Sequence, residues 1–230
     1  MEFAFLFFYI PNRMETLTNY LTANEFSNSD HPTVIAFAYK HSAIGVDALT
    51  NALRLYKAIR DGFWYNPHHV SLKRVDYQAS NFLTRHSGHC IDKANLLAAC
   101  AKVIGIPSRL GFAIVTNHIG TEKVEKALGT NILVFHGYTE LFLNEKWVKA
   151  TPAFNAGLCE KLGVKPLEFD GKTDSIFQEF AENGTKFMEY LHDYGTFETL
   201  PFDMMISEWR KHYPTAFQKV EQEKLEMIGF

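Results

Sequence analysis

The spacing of apolar residues changes near the middle of this chain, where helical spacing gives way to the patterns of strands, and that change constrains the fold more than any other feature. From Val46 to Arg60 apolar side chains recur at intervals of three and four, which is typical of an amphipathic helix. A second helix, rich in Ala and Leu, is predicted from Cys90 to Ile104, and Gly105-Ile106-Pro107 ends it. Beyond residue 110 the apolar residues follow the patterns of strands. Helices followed by strands indicate an α+β fold.

The strand candidates predict how the sheet is paired. Short apolar or period-two runs occur at Leu110 to Val115, Ile132 to Leu143 and Lys146 to Ala150. The last two are separated only by Asn144-Glu145, and so short a connection requires antiparallel pairing. Phe187 to Leu191 is expected to add a strand, and residues 202–226 are predicted to form a helical tail. The predicted architecture is a set of N-terminal helices packed on a mostly antiparallel sheet.

The chain length fits one domain, with a leader before it. The 230 residues are expected to form a single domain whose core spans about residues 45–155. Residues 1–30 are expected to form a leader. Its apolar run, Phe3 to Ile10, is far shorter than the roughly 20 residues of a membrane helix. Because no basic segment precedes the run and no small-residue cleavage site closely follows it, we predict an edge strand or a mobile leader rather than a signal peptide.

Composition excludes several classes of protein. Apolar residues make up 47% and charged residues 21% of the chain, which indicates a folded globular protein. The net charge is −3, and Lys and Arg are not clustered, so neither nucleic acid nor a membrane is expected as a partner. The three cysteines include no CxxC pair, which argues against a disulfide framework or a zinc site. A reducing compartment, and hence the cytoplasm, is expected.

Cys90 lies at the predicted N-terminus of the Ala-rich helix. The first N–H groups of a helix have no intrahelical partner, and their partial positive charge favours a thiolate over a thiol. The preceding Ser87-Gly88-His89 are small or polar, as a solvent-accessible nucleophile requires. Position alone leaves two interpretations open, a reactive thiol or a buried structural cysteine. Of the other cysteines, Cys100 is predicted to pack in the core and Cys159 to lie in a loop without a visible partner.

His136 lies on a predicted strand, directly after the apolar Leu133-Val134-Phe135. An imidazole there could act as a general base, because its ordinary pKa is close to neutrality. A buried core histidine is the competing interpretation. Three further sets of histidines compete with it: His86 with His89, His68-His69, and His118. The first set could suggest a metal, but no second Cys/His pair has ligand spacing, so no metal site is predicted. The second set is expected at the surface, and His118 is a weaker base candidate.

Four segments of the chain occur in an order that is informative as a set. They are Gly88-His89-Cys90-Ile91-Asp92-Lys93-Ala94, Gly105-Ile106-Pro107-Ser108-Arg109, His136-Gly137-Tyr138-Thr139-Glu140 and Trp147-Val148-Lys149-Ala150-Thr151-Pro152. This series resembles the transglutaminase-like superfamily, and most of all its small bacterial branch. Members of that superfamily read roughly GxCxDxA, GIPAR, HxWxE and WxxxDP. The resemblance covers about residues 45 to 155.

The resemblance implies a fold and three site residues. The implied fold has a papain-like, transglutaminase-like core with the cysteine at the start of the core helix and the histidine on the adjacent antiparallel sheet. By position, Cys90 is the implied nucleophile and His136 the implied general base. Thr151 stands where the family has an aspartate. Threonine can orient an imidazole but carries no charge, so the resemblance implies a weaker thiolate–imidazolium pair than in the family.

Other residues are candidates for the missing roles. A polar side chain after the sheet could replace the family aspartate, and the candidates are Asp170, Asp174 and Asn155. The N–H of Cys90 is the natural donor to an oxyanion, and Trp64 or Tyr65 could supply a second one. No cofactor is expected. Calcium dependence is not expected either, because no EF-hand-type acidic loop occurs.

The leading functional hypothesis is a thiol enzyme acting on the carbonyl of a protein, peptide or small amide. Cys90 would form a thioester, and hydrolysis is favoured over crosslinking because an amine acceptor needs its own specific site. The alternative is a binding or scaffold protein on the same fold whose site has degenerated, which the presence of Thr151 favours. A third hypothesis is an acyl-CoA-dependent acetyltransferase, which the four motifs fit less well.

Overall fold

The computed structural model describes residues 17–67, 70–119, 122–177, 181 and 183–218. Three features of the sequence analysis lie outside the described residues: the run Phe3 to Ile10, the pair His68-His69 and the last part of the expected tail, residues 219–226. No helix in the described part of the chain is both long enough and apolar enough to cross a membrane.

The chain folds as a mixture of helices and strands, as predicted. The helices are α1 (Pro32–Lys40), α2 (Ala48–Gly62), α3 (Ala79–Phe82), α4 (Cys90–Val103), α5 (Glu122–Leu128), α6 (Ala156–Leu162) and α7 (Phe202–His212). The strands are β1 (Trp64–Tyr65), β2 (Ser87–Gly88), β3 (Ser108–Asn117), β4 (Ile132–Leu143), β5 (Lys146–Ala150) and β6 (Met188–Phe197). Two 3₁₀ turns, Asn19–Leu21 and Arg74–Tyr77, complete the described elements.

Four strands form an antiparallel sheet in the order β5-β4-β3-β6. The β4–β5 hairpin has the bounds that the sequence predicted. Its turn residues Asn144 and Glu145 have φ angles of 49° and 66°, as a two-residue turn between right-twisted strands requires. The short β1 and β2 pair in parallel and form a separate two-stranded sheet.

Helix α4 packs against β4 and is buried from Cys90 to Lys102. This burial explains its composition, because a helix enclosed on all sides needs small or apolar residues around its whole circumference. Some elements differ from the prediction. The helix predicted to end at Arg60 continues to Gly62, and the tail helix α7 ends at His212.

The N-terminal segment from residue 17 to residue 30, which the sequence assigned to a leader, contacts the core. Phe26 is 1% exposed, and its carbonyl accepts hydrogen bonds from Asn95 Nδ2 at 2.8 Å and from the N–H of Ala79 at 2.9 Å. Arg74 links the same segment to α7, because its guanidinium lies over the rings of Phe26 and Phe202. These residues therefore belong to the packed part of the protein.

Candidate active site

The first turn of α4 is fixed by the residues around Cys90. His89 is the N-cap: its Nδ1 accepts the N–H of Asp92 at 3.4 Å, while Asp92 Oδ2 accepts the N–H of His89 at 3.0 Å. This reciprocal pair is a capping box. Arg85 Nη2 donates to the other oxygen of Asp92 at 3.0 Å. Asp92, three residues after the N-cap His89, therefore fixes the start of α4 beside Cys90.

A glycine allows strand β4 to approach this turn closely. A Cβ on Gly137 would lie 3.1 Å from Ile91 Cα and 3.3 Å from the nitrogen of Ile91. Any other residue would push the strand and the helix apart. The residue after His136 therefore contacts the residue after Cys90, which brings the two motifs together.

Strand β4 carries a bulge immediately before His136. Val115 pairs with Leu133 and Ala113 with His136, so β4 uses one residue more than β3 between these two pairs. Phe135 has a φ angle of 61°, a left-handed conformation that is unusual for a bulky residue. Bulges of this kind redirect side chains and are common beside active sites. Here the bulge sets the direction in which His136 leaves the sheet.

The Cys90 thiol is largely buried, with 9% exposure. Burial raises the pKa of Cys90 to about 11, although hydrogen bonding from the backbone N–H groups of Gly137 and Ile91 acts in the opposite direction. The sequence indicated a thiolate stabilised by the helix N-terminus. The expected backbone donors are present, but burial outweighs them and the resting sulfur is a thiol.

His136 is 1% exposed, and burial, with a smaller contribution from the charge of His89, lowers its pKa to about 4. The ring is therefore neutral near pH 7. Within the described residues its Nδ1 has no hydrogen-bond partner. Cys90 and His136 both line one cleft of about 430 Å³. The site thus combines a thiol with a neutral imidazole.

Thr151 lies on the far side of His136. It is 3% exposed, and its Oγ1, like His136 Nδ1, is buried without a hydrogen-bond partner among the described residues. Thr151 and His136 line the same small cavity. The carbonyl of Thr151 accepts a hydrogen bond from the Tyr56 hydroxyl at 3.1 Å, which fixes the backbone there.

The three proposed substitutes for the family aspartate have other hydrogen-bond partners. Asp170 accepts the N–H groups of Lys172 and Thr173, both at 2.8 Å. Asp174 accepts the N–H of Lys149 at 2.9 Å, and Asn155 Oδ1 accepts the N–H of Tyr65 at 3.0 Å. Their side chains therefore bond to the backbone of a loop, of β5 and of β1, whereas His136 Nδ1 has no partner among the described residues.

The competing histidines and cysteines lie elsewhere. His86 is exposed, and the exposed His118 faces Glu189 at 3.6 Å. Cys100 is fully buried in the core, as predicted. Cys159, predicted in a loop, is instead fully buried in helix α6, with its sulfur 3.9 Å from the carbonyl of Phe154. Across the described ranges, His, Cys, Asp and Glu nowhere form a group of three that could hold a metal.

The end of α7 forms a wall of the cleft that the sequence analysis did not assign to the site. Trp209 Nε1 donates to the carbonyl of Val134 at 2.9 Å, and the Tyr213 hydroxyl donates to the carbonyl of Ile132 at 2.9 Å. Both bonds hold the tail against β4, just before the bulge. Tyr65 lines the opposite side, whereas Trp64 is 58% exposed and lies beside Lys161.

Comparison with known proteins identifies the family of this chain. The model of the transglutaminase-like superfamily matches residues 36–152, just over half of the chain. The chain therefore belongs to the transglutaminase-like superfamily. No curated protein matches it significantly.

Several solved structures are similar in fold. A candidate cysteine protease from Cytophaga hutchinsonii is 15% identical, with a TM-score of 0.47; the match covers 76% of this chain and 63% of that one. A candidate protease from Parabacteroides distasonis is 16% identical (TM-score 0.38; 59% and 25% covered). The periplasmic domain of TgpA from Pseudomonas aeruginosa, bound to ethylmercury, is 17% identical (TM-score 0.41; 60% and 49% covered). This chain spans less than two thirds of each of these chains.

Proposed function

We propose that this protein is a thiol enzyme that acts on amide or peptide carbonyls, with Cys90 as nucleophile and His136 as general base. The observation that carries the proposal is the shared cleft: the N-terminus of α4 presents Cys90, and the bulge of β4 presents His136, to the same cavity. Membership of the transglutaminase-like superfamily supports the same roles at these positions.

The protonation states define how the reaction starts. Because the pKa of Cys90 is raised and that of His136 is lowered by burial, the resting pair is a thiol and a neutral imidazole. The sulfur therefore attacks the carbonyl carbon as its proton moves to the imidazole, and the carbonyl oxygen becomes an oxyanion. When this intermediate collapses, the C–N bond breaks and the amine leaves with the proton from His136. The product on the enzyme is a Cys90 thioester.

We assign the oxyanion donors to the N–H of Cys90 and to Tyr65. The helix N-terminus supplies the first donor at the position where negative charge develops. Tyr65 lines the cleft, and burial together with the nearby Cys90 raises its pKa well above the usual value, so its hydroxyl keeps its proton and can donate it.

Thr151 is assigned the orienting role of the family aspartate. A hydroxyl can accept the Nδ1–H of His136 and so fix the tautomer in which the other nitrogen takes the thiol proton. Because the hydroxyl has no charge, it stabilises an imidazolium less than a carboxylate does. A neutral resting pair is the expected consequence.

We propose hydrolysis as the second half of the reaction. Water attacks the thioester with His136 as base, the C–S bond breaks, and the thiol and a carboxylic acid are formed. The expected substrates are proteins, peptides or small amides. The three free cysteines support a reducing compartment, and we propose the cytoplasm of a bacterium as the location. The alternative, a binding protein with a degenerate site, is less well supported because cysteine, histidine and capping box are all in place.

The test is selective alkylation of the native protein with iodoacetamide near neutral pH, read out for each thiol by peptide mass spectrometry. Cys90 should react well ahead of Cys100 and Cys159, because it is the thiol that lines the cleft together with an imidazole able to take its proton. His136→Ala should remove this advantage, and the matched control His118→Ala, on an exposed histidine, should keep it. Equal, slow labelling of all three thiols in wild type would favour the binding protein.

A further inference from the structure

The cleft at Cys90 extends beyond the reacting groups into an apolar surface. Its far walls are formed by side chains from α5, β4 and the tail, including Leu128, Val134, Trp209, Tyr213 and Phe217. Most of these pack in the same apolar cluster as Cys90. The sulfur is therefore approached across a surface that gains free energy by covering apolar groups.

The charges around this surface are few. Among the cleft-lining residues that the structure describes, Lys126 is the one Lys, Arg, Asp or Glu side chain. It is exposed on α5. His89 and His136 also line the cleft, and both are buried. Apart from the exposed Lys126, the cleft lining that the structure describes has no Lys or Arg to pair with a carboxylate side chain, and burying such a group against the apolar wall would cost free energy.

The position of this wall is held by hydrogen bonds to the strand that carries His136. Trp209 and Tyr213 donate to carbonyls of β4, and the N–H of Val134 donates to the Tyr213 hydroxyl at 2.6 Å. Phe217 follows one turn later, 6% exposed, with its N–H bonded to the carbonyl of Tyr213 at 3.0 Å. The apolar wall is thus preorganised relative to the reacting carbonyl, and its residues Trp209, Tyr213 and Phe217 lie outside the region matched by the family model.

From these observations we infer that the enzyme selects substrates with a large apolar, preferably aromatic, side chain next to the carbonyl that Cys90 attacks. This inference rests on the proposed function, because it assigns the substrate class of the same site. The volume of about 430 Å³ accommodates such a side chain together with a short stretch of peptide.

The test uses three N-acetyl amino-acid chloromethyl ketones that differ only in the side chain: Phe, Ala or Glu. Each alkylates a thiol by forming an S–C bond as chloride leaves. The rate of Cys90 modification is followed by mass spectrometry. We expect the Phe reagent to react at least roughly tenfold faster than the Ala and Glu reagents, because filling an apolar pocket gives a discrimination of this order.

Variants show where the selectivity comes from. Phe217→Ala should reduce the Phe-to-Ala rate ratio severalfold, with each rate divided by the iodoacetamide rate of the same variant. Met204→Ala, an exposed position on α7, is the control that should leave the ratio unchanged. If circular dichroism shows that Phe217→Ala is unfolded, Phe217→Leu takes its place and should lower the ratio by a smaller factor.

Each outcome decides between the two claims. If Cys90 reacts selectively with iodoacetamide but equally fast with the three ketones, the substrate assignment is overturned and the proposed thiol enzyme is retained. A faster reaction with the Glu reagent would do the same. If no reagent labels Cys90 in preference to Cys100 and Cys159, both the proposed function and the substrate assignment are overturned.

Discussion

Lys93 and His136 are both enclosed by the protein, yet their surroundings differ. Lys93 is 0% and His136 1% exposed, and burial lowers the pKa of both side chains, to about 7 and about 4. Lys93 Nζ donates to three backbone carbonyls, those of Arg60 at 2.7 Å, Phe63 at 3.0 Å and Ala153 at 2.8 Å. His136 Nδ1 has no acceptor within the described part of the chain.

The difference shows what the fold provides near the sulfur. An ammonium has three donors, and Lys93 uses each of them on a different segment: the end of α2, the approach to β1 and the loop after β5. It therefore holds these segments to the first turn of α4, three residues after Cys90. His136 Nδ1 has no such partner within the described residues, and burial keeps the ring neutral near pH 7. Lys93 thus stabilises the fold, whereas His136 lines the cleft with an Nδ1 that has no partner among the described residues.

The largest effect is expected from Lys93→Met. Methionine fills a similar volume but leaves three buried carbonyls without a donor, at a cost of about 1 to 3 kcal/mol each. We expect the free energy of unfolding to fall by about 4 kcal/mol or more, measured by urea denaturation.

The matched control for this prediction is Lys57→Met, on the exposed face of α2, which should change stability by less than about 0.5 kcal/mol. A Lys93→Met protein as stable as wild type would show that the three carbonyl contacts contribute nothing net to folding. Lys93 would then have no stabilising role to compare with the role of His136.

A somewhat smaller effect is expected from His136 in acid. The unfolded chain protonates this histidine below pH 6.5, while the folded protein binds the proton only near pH 4. Between these values the unfolded state binds more protons, so stability falls as the pH is lowered from 6.5 to 4, by up to about 3 kcal/mol. His136→Gln should lack this part of the pH dependence in denaturation curves.

His86→Gln is the control, because an exposed histidine should leave the acid slope of wild type unchanged. If wild type and His136→Gln lost stability in parallel over this range, the pKa of His136 in the folded protein would be the same as in the unfolded chain. The neutral resting pair would then be wrong, and the contrast with Lys93 would disappear.

The parts of the fold that could be predicted from sequence are those set by local patterns. The bounds of β4 and β5 follow from period-two apolar residues and a two-residue turn. Helices α5 and α6 were not predicted, since each is only seven residues long and depends on packing, as the fully buried Cys159 shows. The pairing of β3 with β6 joins segments far apart in the sequence, which no local pattern specifies.

The site divides in the same way. The motifs predict Cys90 and His136 as site residues, and the capping Asp92 is readable from its spacing. The raised pKa of Cys90 could not be predicted, because it depends on how completely distant segments enclose the sulfur. The helical pattern of the tail does not show where the tail packs, so the cleft wall that α7 contributes could not be predicted.

The smallest predicted effect concerns Thr151→Asp, which would give His136 Nδ1 a charged acceptor. A carboxylate beside the imidazole favours its protonated form, so the pKa of His136 should rise and that of Cys90 should fall, each by roughly 1 or more. We expect Cys90 alkylation by iodoacetamide at pH 7 to become about tenfold faster, a change of about 1.4 kcal/mol. The histidine pKa can be followed in parallel by NMR.

Thr151→Asn is the matched control, because asparagine has the shape of aspartate without its charge and should leave both pKa values near those of wild type. If Thr151→Asp and Thr151→Asn behave alike, residue 151 does not face Nδ1 of His136, and the orienting role must be assigned to another group. If only the aspartate variant accelerates alkylation, then residue 151 faces the imidazole, and a negative charge at this position raises the pKa of His136.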